Sequence, residues 1–209
     1  MELYDVTRPL QPGMAVWPGD AAFRLEWTAR RDRGDDYNSA ALSLSSHAGT
    51  HADAPRHLEE RAASIDAVSL RPYLGRAYLA EVRGTAPISA RSLAHLDLGR
   101  IERLLLKTGV GPPDYGFDGA YQPLTLEAAD LLARHGVLLV GVDAPSVDAA
   151  TSAALEVHRR LLDRGIAILE SLELSHVPEG WYELLALPLK LIGVDSSPVR
   201  AVLRQLSAA

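Results

Sequence analysis

The chain contains no cysteine. That excludes disulfides, thiolate nucleophiles and every cysteine-ligated zinc or iron–sulfur site together, so any metal must be held by nitrogen and oxygen. No stretch approaches the ~20 consecutive apolar residues of a membrane span. The start, MELYDVTRPL, carries charges where a signal peptide would place its apolar stretch. Positive charge is also in short supply, with 21 Lys and Arg against 27 Asp and Glu and a net charge of −6. Nucleic acid and anionic membrane surfaces would repel such a chain. These absences predict a soluble, cytoplasmic protein. Repeats, low-complexity tracts and linkers are missing too, and 209 residues suit one well-filled core, so a single domain over 1–209 is expected.

The N-terminal half reads as strands and loops. LYDVT begins it, and QPGMAVWPGD is turn-rich, punctuated by Pro12-Gly13 and Pro18-Gly19. NSAALSLSSH alternates as a half-buried strand would, with Ala40, Leu42 and Leu44 on one face. Beyond residue 120 the pattern becomes helix followed by strand. Thr125 is placed to cap LEAADLLARH, Gly136 to stop it, and VLLVGVD to follow as a buried strand. SAALEVHRRLLDR, Gly165 and IAILE repeat the device, which implies crossover connections and some parallel pairing. A last β pair is expected from WYELLALPLKL and SPVRAVL. The fold class is mixed α/β.

Three of the seven histidines fall in one short stretch, SHAGTHADAPRHL. It is either a histidine-rich polar loop or half of a metal site. Two later residues bear on the choice. Ala154, Val157, His158 and Leu161 recur at the spacing of one helix face, which puts His158 on the apolar stripe. Alone it would be a buried imidazole bonded to backbone. In IAILE, alternation sets Ile166, Ile168 and Glu170 on one side. Glu170 is either an exposed strand end or a carboxylate that needs a cation. A metal explains the inward histidine and the inward glutamate together. The ligand set is then His47, His51, Asp53, His158 and Glu170. Five are too many for one catalytic zinc, which takes three protein ligands and keeps a position for water. They suffice for two ions if His47 and His51 serve one, His158 the other, and Asp53 and Glu170 bridge. His57 lies past Pro55, free of a ligand role and near enough to a metal-bound water to act as general acid and base; otherwise it is a loop histidine facing solvent. His95, His135 and His176 stand among charged or turn residues and take no role.

HAGTHADAPRH fits H-x-G-T-H-x-D-x-P-x-H, and on it the chain resembles the cyclase-like metal-dependent hydrolases. The likeness runs nearly end to end, through VWPGD, the spacing from His158 to Glu170 and the closing LALPLKLIGVDSSPVRAVL, and is greatest to the bacterial arylformamidases of that family. The resemblance implies a small α/β domain with a β-barrel-like core, usually a homodimer, and two zinc ions per chain. It implies hydrolysis of N-formylkynurenine to kynurenine and formate. Carried over by position, His47, His51, Asp53, His158 and Glu170 match the family's ligands with both carboxylates bridging, His57 its proton donor and acceptor, and Trp17 a substrate-binding aromatic. Leu58 departs from the pattern, since many relatives place an aromatic there, and that touches pocket shape or packing. Two other readings stay open: a relative acting on a cyclic or different aryl amide, and a mononuclear site built on His47, His51 and Asp53 alone.

Overall fold

A computed structural model describes residues 2–109 and 120–206. Four short strands run parallel at its centre: β5 (Leu74–Glu81), β6 (Arg103–Lys107), β7 (Leu139–Val142) and β8 (Ala167–Glu170). Parallel neighbours need crossovers. Helix α1 (Leu126–Arg134) crosses from β6 to β7 and α2 (Glu156–Asp163) from β7 to β8, as the two helix–strand patterns imply. The Thr125 side chain accepts a hydrogen bond from Ala128 N and so caps α1.

Antiparallel strands extend this centre on both sides. Beyond β5 lie β9 (Gly180–Leu185), β11 (Val202–Gln205) and β1 (Leu3–Asp5), while beyond β8 lie β4 (His51–Asp53) and β10 (Ser196–Pro198). The nine-stranded sheet curls. Alternation divides its apolar residues between two cores: Ala80, Leu104, Leu106, Val140 and Ile168 face the helices, and Ala77, Leu79, Leu105, Leu139 and Leu169 fill the concave side. Leu203 and Val6 from one end of the sheet share the concave core with Ala52 from the other. The chain just after β1 bridges the gap, with Val6 N donating to Ala201 O and Glu173 N donating to Val6 O, both at 2.9 Å. The expected barrel-like α/β architecture is therefore present as a curled half-barrel with two helices among the described residues.

Three local expectations need correction. The strand at 38–47 is shorter, β3 (Ser39–Ser43), and pairs only with β2 (Arg24–Ala29), apart from the main sheet. Ala40 is exposed and Leu42 is 59% exposed, because no second layer among the described residues covers that hairpin. Helix α2 starts at Glu156, four residues late. Leu155 adopts a left-handed conformation and Ala154 is exposed, while Val157, His158 and Leu161 keep the buried stripe. Of the last β pair, β9 does meet β11, but residues 196–198 turn away to pair with β4.

Gly141 shows how tightly the concave face is packed. A Cβ there would stand 2.5 Å from Leu105 Cδ2 and 2.8 Å from Leu172 Cδ1, inside the core. Gly141→Ala is expected to destabilise the fold by about 1–3 kcal/mol through overpacking. Urea denaturation should show a lower midpoint with an unchanged slope, and a wild-type midpoint would refute this account.

Candidate metal centre

Strand β4 lies between β8 and β10, and its register builds the centre. His51 stands directly opposite Glu170, and Asp53, two residues along, projects to the same side of the sheet. The register also places Asp53 opposite Ser196 and Ile168. Helix α2 packs over that side and delivers His158. His47 comes from the turn before β4, and His57 from a single 3₁₀ turn, Pro55–His57, just after it.

The structure brings all five expected ligands together. Asp53 Oδ1 lies 3.2 Å from His47 Nδ1 and 3.6 Å from His51 Nε2, whereas Oδ2 lies 3.4 Å from His158 Nε2. Glu170 divides likewise, with Oε2 3.4 Å from His51 Nε2 and Oε1 3.1 Å from His158 Nε2. Each carboxylate thus turns one oxygen toward His51 and the other toward His158. Two groups with atoms close enough to share an ion follow, His47–His51–Asp53 and Asp53–His158–Glu170. His47, His57 and Asp195 form a third such group on the more open side.

The outer nitrogen of each histidine in the two buried groups is already committed. His51 Nδ1 donates to Gly49 O at 2.9 Å, His158 Nδ1 donates to Asp148 Oδ2 at 2.7 Å, and His47 Nε2 donates to Asp195 Oδ2 at 3.0 Å. These acceptors fix the tautomers and leave a lone pair on the inner nitrogen of each ring, as metal-ligating imidazoles require. Asp148 does more, since its carboxylate also accepts the backbone N–H groups of Val157 and His158, which caps α2 and orients its ligand at once. Neither Asp148 nor Asp195 was found by sequence reasoning. Asp148 sits ten residues before His158 and Asp195 in the closing stretch, and no local spacing links either to the histidines.

Electrostatics test whether a cation fits. Asp53 is 1% exposed, and neither of its oxygens receives a hydrogen bond, nor does His51 Nε2 have a partner. A buried carboxylate left so costs several kcal/mol unless positive charge meets it. Burial works against the ionised form of Asp53, but His158, His47 and His51 outweigh burial and hold its carboxyl well below the ordinary range. Burial likewise opposes charge on the histidines. Asp195 and Asp53 nevertheless push His47 up to about 10, Asp53 and Glu170 raise His51, and Glu170, Asp148 and Asp53 raise His158. Without a metal the centre gathers protons to balance its carboxylates, and a divalent ion supplies that charge while displacing them. The donor set fits a metal.

A cleft of about 640 Å³ opens over the centre, within the range of small-molecule sites. Trp17 lines it beside Met14 and Val16, on the turn closed by Asp20 N donating to Trp17 O. His57 lines it too. Its Nδ1 is 3.1 Å from Asp195 Oδ2, the oxygen that also holds His47, and its ring centroid is 4.5 Å from that of His47.

A histidine–carboxylate cluster on paired strands β4 and β8 of a curled α/β sheet, open to a cleft, marks a candidate metal-binding protein. The chain belongs to the putative cyclase family, whose pattern matches residues 4–149. It is 44% identical over 98% of its length to a kynurenine formamidase of Salinibacter ruber, 98% of which is covered. It also resembles a solved structure described as a potential metal-dependent hydrolase with cyclase activity, at 30% identity and a TM-score of 0.80 over 97% of this chain and 96% of that one. A metal-dependent hydrolase from Bacillus stearothermophilus, so described on prediction, matches at 29% identity and the same TM-score, over 97% of both chains.

Asp148→Asn keeps the shape of the support and weakens its acceptance of the His158 N–H. It is expected to lower metal affinity by about 10–100-fold. Competition with a chromogenic chelator measures this, and wild-type affinity would show that Asp148 does not tune the centre.

Proposed function

We propose that residues 1–209 form one zinc-dependent hydrolase domain that converts N-formyl-L-kynurenine to L-kynurenine and formate. The observation that carries this reading is the buried Asp53 carboxylate, without a hydrogen bond and divided between histidines on both sides. Its place in a chain 44% identical to a kynurenine formamidase supports the substrate. His47, His51, Asp53, His158 and Glu170 would hold the two ions. Nitrogen and oxygen donors in this number suit zinc. Zinc held in this way supplies Lewis acidity and brings the pKa of water toward neutrality.

The chain's own residues do the rest. Water adds through oxygen to the formyl carbon, the carbon–nitrogen bond breaks, and the aniline nitrogen needs a proton in order to leave. His57 takes the proton released by the water and returns it to that nitrogen. Asp195 holds His57 through Nδ1, which leaves Nε2 as the nitrogen that moves the proton. Trp17 stacks on the aryl ring and orients it. The working form we propose is a cytoplasmic homodimer, the location expected from the composition and the oligomer from the family resemblance.

Two measurements test this. Purified protein should release formate from N-formyl-L-kynurenine and lose that activity in chelator; no chelator-sensitive release would sink the assignment. His57→Ala should lose about 10²–10⁴-fold in kcat while elemental analysis still finds both ions. Full turnover in that variant removes the proton-transfer role.

A further inference from the structure

The wall of the cleft that carries Trp17 has no regular structure. Residues 8–23, between β1 and β2, contain turns but no helix or strand, and Met14, Val16, Trp17 and Asp20 of this segment line the cleft. Such a segment keeps its place only through contacts with the rest of the chain. Among the described residues, both hydrogen bonds that join residues 18–22 to the body of the protein are made by Ser45. Its hydroxyl donates to Asp20 Oδ2 at 2.8 Å, and its backbone N donates to Ala21 O at 3.3 Å.

Ser45 belongs equally to the metal centre. Residues 45–48 form the turn before β4, closed by Ala48 N donating to Ser45 O at 3.0 Å, and His47 N donates to the same Ser45 hydroxyl at 3.2 Å. One hydroxyl therefore works in both directions, donating to the cleft wall and accepting from the backbone of a proposed ligand. The wall meets this region a second time at Gly49, whose carbonyl holds His51. Its φ is +65°, and Leu10 Cδ2 and Met14 Cε lie 2.7 Å and 3.6 Å from the place a Cβ would take, so the wall packs directly on backbone there. Asp20 is in none of the groups able to share an ion among the described residues. Its carboxylate serves the wall.

Resting on the formamidase reading, in which Trp17 stacks on the aryl ring, we propose that Asp20 and Ser45 are positioning residues for substrate binding. Their hydrogen bond locks the Trp17–Asp20 turn to the turn that presents His47, so the aromatic wall and the metal centre are held in one arrangement. Without the lock the turn samples more positions, and part of the binding energy goes into reordering it when substrate arrives. The loss falls mainly on KM, because the ordering serves to hold the ring and not to break the bond.

Two readouts test the lock. Asp20→Ala leaves Ser45 and its bond from His47 in place, and is expected to raise KM for N-formyl-L-kynurenine about three- to tenfold, the equivalent of one hydrogen bond, with a smaller change in kcat. The double variant with Ser45→Ala should be no worse than Ser45→Ala alone, because both substitutions remove the same bond. Asp20→Asn should restore most of the wild-type KM, since its side-chain oxygen still accepts from Ser45. KM does not depend on the fraction of active protein, so partial misfolding cannot imitate these effects. The second readout needs no substrate. Acrylamide quenching of Trp17 fluorescence, taken as the difference between each protein and the same protein carrying Trp17→Phe, should rise in Asp20→Ala and stay near wild type in Asp20→Asn. A wild-type value of either KM or quenching in Asp20→Ala overturns the proposal. So does an Asp20→Asn variant as impaired as Asp20→Ala, since the charge and not the bond would then matter. If the wild-type protein releases no formate from N-formylkynurenine, the formamidase reading fails, and quenching alone decides whether the lock exists.

Discussion

Asp53 lies on a three-residue strand with a sheet neighbour on each side, almost wholly removed from water, and no hydrogen-bond donor satisfies either oxygen. A carboxylate in that position must be met by positive charge, and three imidazoles within 3.2 to 3.6 Å are arranged around it. Much of the architecture follows from this demand. The register of β4 against β8 puts Glu170 across from His51, and the crossover through α2 lays His158 over both carboxylates.

Support for the proposed ligands comes from groups outside that set of five. Gly49 O, Asp148 and Asp195 each take the outer N–H of one histidine, so the inner nitrogens point toward the carboxylates with little rotational freedom. Asp195 is shared between His47 and His57, which couples the position of a proposed ligand to that of the proposed proton carrier. Thr50 plays a comparable part on the other side, joining the backbone at Arg8 to the strand end beside Glu170. A centre on strand and helix ends, braced by such contacts, is preorganised for a substrate delivered through the cleft.

Trp17, Arg8 and Glu173 line the same cleft as His47, His51 and His57, so the proposed zinc centre and proton carrier share their cavity with an aromatic ring and two charged side chains.

From sequence alone the motif HAGTHADAPRH, the helix stripe bearing His158 and the alternation ending in Glu170 were legible, because each is a local periodicity or spacing. The helix–strand alternation after residue 120 likewise determined the parallel centre of the sheet. Local pattern failed where a partner decides the outcome. The alternation at 38–47 describes a strand, but whether its apolar face is covered depends on what packs against it, and β3 pairs only with β2. The late start of α2 depends on Asp148, which caps it. Asp195 shows the same limit at longer range, since it reaches His47 across 148 residues of chain through a strand that leaves the C-terminal pair to join β4. Residue types and spacings determined which groups could bind a metal, and tertiary structure decided which acceptors hold them, since such contacts arise only once distant strands have paired.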